Sequence, residues 1–264
     1  MAEERYNRGF EKLKEIEGDA GKAVIESLKD ISPDLGRYMV EYTFGDVYSR
    51  DGLTLKHKEI AAVSALIAMG NAAPQLKARL SGALNVGCSL GEVAEVILQM
   101  SAYAGFPVAI NAMKVLKEVI IERKEMGLGP SPTKRVVKPS RTDRYKTGVK
   151  WLSKLDPSIV RVFEDEFEEI MPDLARYTIE YGYGDVYSRP GLDLKSRQIA
   201  TIASITALGT SPVLLRFHIN CGLNIGLTEQ EILEVMILIS VYAGFPAALN
   251  GALAAKEVFQ NRPG

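Results

Sequence analysis

One histidine in this chain has neighbours suited to proton chemistry. His218 shares a helical stripe with Leu214, Cys221 and Ile225, a spacing that turns all four inward. An imidazole held there can take up or give a proton near neutral pH, as decarboxylation or enolisation requires. The same placement suits a core histidine bonded to a backbone carbonyl. Cys221 follows by one helical turn, so thiol and imidazole could approach each other for nucleophilic or redox work. A small buried apolar residue is the competing reading of that cysteine. Arg50 and Arg189 each follow a Tyr-Ser pair, and a guanidinium can hold a substrate carboxylate in a bidentate grip. Their plain alternative is an ion pair with Asp46 or Asp185. Glu59 stands near the start of a long apolar helix, where the helix dipole favours a carboxylate in any case. His57, between Lys56 and Lys58, is expected at the surface.

The elements that carry these residues are written twice. Gly45-Asp46-Val47-Tyr48-Ser49-Arg50 recurs as Gly184-Asp185-Val186-Tyr187-Ser188-Arg189, and Tyr103-Ala104-Gly105-Phe106-Pro107 as Tyr242-Ala243-Gly244-Phe245-Pro246. Both pairs are offset by 139 residues, without a gap from Arg5 to Ile120. Each copy therefore serves as a control for the other. Residues 1–125 form the first repeat and 142–264 the second. The stretch 126–141, with Gly127, Gly129, Pro130, Pro132 and Pro139, reads as a linker.

Every segment within a repeat reads as helix. Leu55 to Met69 and Leu194 to Leu208 are apolar nearly all round and end at Gly70 and Gly209, so they are expected to be buried on every side. Shorter helices close at Asn85-Val86-Gly87 and Asn224-Ile225-Gly226. Ser89-x-x-Glu92 and Thr228-x-x-Glu231 are capping boxes that start the next helices. Pro107, Pro246, Pro33 and Pro172 suit first turns. An all-α protein follows, and its apolar central helices require one repeat to pack on the other.

The bulk composition excludes several functions. With 32 basic and 33 acidic residues there is no broad attraction for nucleic acid or anionic membrane. The two cysteines do not match under the repeat offset, so no disulfide framework is suggested. No apolar run reaches membrane-spanning length, and the charged start Met1-Ala2-Glu3-Glu4-Arg5 is unlike a signal peptide; a soluble cytoplasmic protein is expected. No Gly-rich phosphate loop, HExxH or Cys-x-x-Cys is present, so neither cofactor nor metal is expected.

With its Gly-Asp-Val-Tyr-Ser-Arg box and its Asn-x-Gly…Tyr-Ala-Gly-Phe-Pro pattern, the chain resembles the carboxymuconolactone decarboxylase family of the AhpD-like superfamily. The resemblance implies an AhpD-like helical fold, with two tandem repeats packed as a pseudo-dimer. Since family members commonly form rings of six subunits, it also implies a homo-oligomer, with three such chains making a pseudo-hexamer. The superfamily histidine lies eight residues before the Asn-x-Gly glycine, which selects His218; the first repeat has Arg79 there. The superfamily glutamate maps to Glu59, and its counterpart is Gln198. Two arrangements follow: Glu59 joins His218 in a split site, or the second repeat works alone.

The implied activity is cofactor-independent decarboxylation, or a related proton transfer, on a small carboxylated lactone. His218 would protonate the dienolate, Glu59 would orient the imidazole, and Arg50, Arg79 and Arg189 would hold carboxylates. The peroxidase branch needs a Cys-x-x-Cys pair that this chain lacks, which leaves Cys221 alone as a redox alternative. Tyr48 and Tyr187 stand where the decarboxylase box commonly has tryptophan. A non-catalytic oligomeric binding protein is the third reading.

Overall fold

The computed structural model describes residues 2–129, 143–167 and 169–262, and most of the expected linker lies outside them. The first repeat runs α1 (Ala2–Glu17), α2 (Ala20–Ser27), α3 (Pro33–Tyr38), a π-helix π1 (Met39–Tyr48), α4 (Leu55–Met69), α5 (Ala73–Asn85), α6 (Leu90–Tyr103) and α7 (Phe106–Glu125). The second repeats it as α8 (Arg144–Leu155), α9 (Ile159–Phe167), α10 (Pro172–Tyr177), π2 (Thr178–Tyr187), α11 (Leu194–Leu208), α12 (Pro212–Asn224), α13 (Glu229–Tyr242) and α14 (Gly244–Asn261). Among the described residues there is no strand, and no helix is long and apolar enough to cross a membrane.

Local signals set the helix ends as the sequence implies. Gly70 and Gly209 adopt the left-handed conformation that closes α4 and α11. Both capping boxes are formed, with Ser89 and Glu92, and Thr228 and Glu231, satisfying each other's backbone amides. The centre of the molecule is α4 packed on α11. Every residue of Lys58–Ala68 and of Ser196–Thr206 is buried. Side chains such as Ile60, Leu66, Ile199 and Ile202 each contribute about 1.5–3 kcal/mol by leaving water. One apolar core spans both repeats, so the chain is a pseudo-dimer with a shared interior.

The repeated motifs explain themselves as contacts. A Cβ on Gly9 would lie 2.3 Å from the Val40 carbonyl oxygen, and one on Gly45 would lie 2.7 Å from that of Arg5. These two glycines let α1 lie directly on π1. The equivalent glycines 148 and 184 do the same for α8 and π2. Arg5 then clamps Asp46, and Arg144 clamps Asp185. Buried Lys58 donates from Nζ to the carbonyls of Val47, Tyr48 and Arg50, satisfying orphan acceptors where π1 ends.

The two repeats are stitched by reciprocal bonds. Arg50 pairs with Glu234 at 2.7 Å and Arg189 with Glu95 at 2.8 Å. The Tyr48 hydroxyl meets that of Tyr242 at 2.6 Å, and Tyr103 donates to Tyr187 at 3.1 Å. Phe245 packs on Tyr42, and Phe106 on Tyr181. The sequence alternative that paired Arg50 with Asp46, and Arg189 with Asp185, is corrected: both aspartates are held within their own repeats by Arg5 and Arg144.

Candidate active site

Two equivalent positions exist, one per repeat, and their side chains differ. In the second, α12 presents His218, α11 presents Gln198 and Thr201, and π2 ends on Tyr187. The first repeat contributes Tyr103 from the end of α6, whose ring lies edge-on to His218 at 5.2 Å between centroids. His218 is fully buried. Its Nδ1 lies 3.0 Å from Gln198 Oε1, while Gln198 Nε2 donates to the Tyr187 hydroxyl at 3.3 Å. With the amide so oriented, Nδ1 carries the proton and Nε2 the lone pair. That Nε2 has no hydrogen-bond partner among the described residues. Burial pushes the imidazole down to about 3, so it is neutral across the physiological range. A buried, unpartnered basic nitrogen costs stability unless a ligand uses it.

The first position is filled with charge instead. Arg79, in the histidine's slot, pairs with Glu59 at 2.9 Å and also with Glu17 of α1. Its guanidinium lies over the rings of Phe44 and Tyr48. Burial pushes the Glu59 carboxyl up to about 8, against the hydrogen bond it shares with the Tyr48 hydroxyl. The split site is therefore corrected. Glu59 faces Arg79 and His218 faces Gln198, so the proposed catalytic pair does not meet. Arg79, only 3% exposed and doubly paired, has no open face for a substrate carboxylate.

The other sequence candidates also have defined places. Arg50 and Arg189 reach across the pseudo-dimer to the buried carboxylates of Glu234 and Glu95. Cys221 is fully buried in a small cluster with Tyr183 and Tyr187, and burial pushes its thiol well above the ordinary range. A thiol held protonated in this way is a poor nucleophile. His57 is half-buried, not fully at the surface.

Sequence reasoning missed the tyrosine pairs and Gln99, and named Gln198 only as the counterpart of Glu59. Tyr103 and Tyr242 were visible only as parts of a helix-ending motif. Gln99 and Thr201, both fully buried beside Tyr187, carry no charge to draw notice. The repeat offset could have found them, since it sets Leu238 against Gln99 and Ala62 against Thr201.

The repeats differ in open space as well. A cleft of about 340 Å³ lies between α11, α12 and α14, lined by residues including Thr206, Ser211, Leu215, Arg216 and Asn250. The matched cleft of the first repeat holds about 40 Å³. Four replacements open it: Ile67, Val108, Ala112 and Val115 correspond to Thr206, Ala247, Gly251 and Ala254. Leu215 of its wall precedes His218 by about one turn on α12.

Known proteins resemble this chain in sequence and in fold. The profile of the carboxymuconolactone decarboxylase family matches twice, over residues 33–118 and 172–257. The 4-carboxymuconolactone decarboxylase of Acinetobacter baylyi is 32% identical over 120 residues, covering 45% of this chain and 88% of that protein. The nitrosuccinic acid decarboxylase of Metarhizium robertsii is 32% identical over 83 residues, 31% of this chain and 57% of that one. The crystal structure of a candidate gamma-carboxymuconolactone decarboxylase subunit from Burkholderia xenovorans shares the fold, with a TM-score of 0.59 at 21% identity over 97% of this chain and 98% of that one. With both repeats matched, the chain belongs to the carboxymuconolactone decarboxylase family, as a tandem member whose two copies carry unlike site residues.

Proposed function

We propose that this protein is a cofactor-independent carboxy-lyase for a small carboxylated lactone of the 4-carboxymuconolactone kind, with one working site per chain, built on His218. The observation that carries this reading is the unpartnered Nε2 of a buried neutral imidazole. A larger cleft than its matched counterpart opens on the same helix, walled by Leu215 and Arg216 of α12, although His218 itself does not line it. At about 340 Å³ it lies within the size range of small-molecule pockets.

In the reaction the bond from ring carbon to carboxylate breaks. Its electron pair enters the conjugated lactone carbonyl as a dienolate, and carbon dioxide leaves. His218 then delivers a proton from Nε2 to carbon. That proton enters from solvent as the substrate binds, since a substrate carboxylate beside the ring favours the imidazolium against the burial that otherwise holds it neutral. Gln198, unable to ionise, orients the ring without competing for its charge.

Assembly into a homo-oligomer belongs to the same proposal. Ile31, Leu35 and Tyr38 are exposed on one repeat, and Ile170, Leu174 and Tyr177 occupy the matched positions of the other. Equivalent apolar faces on both sides of a pseudo-dimer suit a closed ring of three chains. Light scattering tests it: a mass of three chains supports the ring, and a monomer at micromolar concentration refutes it. The activity is tested by carbon dioxide release from 4-carboxymuconolactone, which the parent should show and His218→Ala should lose. No release by the parent removes the substrate assignment.

A further inference from the structure

The second site is wired to the first repeat by a chain of hydrogen bonds that the first site lacks. Arg197, fully buried on α11, donates from its guanidinium to Gln99 Oε1 at 3.0 Å. An arginine can only donate, so the Gln99 amide is fixed with Nε2 turned the other way. That Nε2 donates to the Arg197 carbonyl at 2.8 Å and to Thr201 Oγ1 at 2.9 Å. Thr201 Oγ1 lies 3.0 Å from the Tyr187 hydroxyl. Either hydroxyl can donate in that bond; when Tyr187 donates, its oxygen accepts from Tyr103 and from Gln198 Nε2. Gln198 then has only Oε1 to turn toward His218 Nδ1.

We infer that Gln99 of the first repeat and Thr201 are positioning residues for His218, setting through Tyr187 and Gln198 the tautomer that leaves its Nε2 as the free base. This rests on the reading of His218 as the proton-transfer group. The matched positions argue for it. Leu238 stands where Gln99 does and Ala62 where Thr201 does, so the same fold is built without either polar group. A fully buried amide and hydroxyl cost stability unless satisfied; Gln99 is satisfied by Arg197, where the first repeat has Lys58, and by Thr201, which carries the contact on to Tyr187. The arrangement also gives the first repeat a task in a site it does not own. The opposite tautomer would place a hydrogen on the unpartnered Nε2 and turn the lone pair of Nδ1 toward Gln198.

The test uses protein labelled with nitrogen-15 histidine. The chain has only two histidines, so His57→Gln assigns the spectrum. In the parent, His218 should show a protonated Nδ1 and a pyridine-like Nε2. Gln99→Leu and Thr201→Ala place the other repeat's own residues at these positions, and each should draw the two ring-nitrogen shifts together as the tautomers mix. Thr201→Ala, the smaller change, stands if Gln99→Leu fails to fold. A parent carrying its proton on Nε2, or a pattern unmoved in the folded variants, overturns the inference. With 4-carboxymuconolactone, kcat in each variant should fall on the order of tenfold with KM unchanged. A shifted tautomer with unaltered kcat also sinks the positioning role. A parent that turns over no lactone sinks the decarboxylase reading alone, since the nitrogen shifts decide the relay without substrate.

Discussion

Gln198 Oε1 lies 3.0 Å from His218 Nδ1, and at the matched positions of the other repeat Glu59 lies 2.9 Å from Arg79. One exchange therefore accompanies the other. A neutral amide faces a neutral imidazole, whereas a carboxyl group faces a guanidinium. The duplicated fold holds one site built round a neutral imidazole and one in which an arginine lies between two carboxyl groups.

Acid stability should report the buried imidazole. Its folded value of about 3 lies below the ordinary 6.5, so between these pH values the unfolded chain binds the extra proton. The contribution is fully present above pH 6.5 and is lost as pH falls toward 3, at roughly 1 kcal/mol per pH unit. Urea melts from pH 7 to 4 should show a shallower loss in His218→Gln than in the parent. Equal slopes would mean that His218 takes up its proton in the folded protein as readily as in the unfolded chain.

Removing Arg79 should hurt the fold. Arg79→Ala leaves Glu17 and Glu59 facing each other without a cation, at a cost of about 3–5 kcal/mol. Replacing the pair together by Glu59→Gln and Arg79→His, the residues of the other repeat, should cost less than the single change. Chemical denaturation measures both, and a double variant weaker than Arg79→Ala would contradict the ion-filled first site.

The reciprocal arginines should be unequal. Glu95 is held by Arg197 as well as Arg189, whereas among the described residues Glu234 keeps only Gln230 as a hydrogen-bonding side chain when Arg50 is lost. Arg50→Ala should therefore lower the melting temperature more than Arg189→Ala, by about 1–2 kcal/mol in stability. The reverse order would show that Arg197 does not compensate.

Much of this was legible in the sequence. The helices Leu55–Met69 and Leu194–Leu208 were marked by apolar composition and a closing glycine, both local signals. The π-helices were not, because the wider turn is imposed by the approach of α1 and α8 at Gly45 and Gly184 and by Lys58 drawing on the last carbonyls of π1. The partners of Arg50 and Arg189 were hidden for a related reason. Glu234 and Glu95 lie far along the chain, and only the packing of one repeat on the other brings them near. The histidine and the glutamate were found as residues with two arrangements left open, and in the structure each is answered by its neighbour within its own repeat.

Cys221 should be silent in the folded state. Burial keeps its thiol protonated, and Cys88, likewise buried, is pushed up to about 12. A thiol reagent at pH 8 should label neither until denaturant is added. Rapid labelling of Cys221 in native protein would restore a redox role.

The most direct measurement is carbon dioxide release from 4-carboxymuconolactone by the parent, His218→Ala and Glu59→Gln side by side. A single working site in the second repeat predicts a loss of about 10²–10⁴-fold for His218→Ala and an undiminished rate for Glu59→Gln. A Glu59→Gln variant as impaired as His218→Ala, or a His218→Ala variant as fast as the parent, would contradict it.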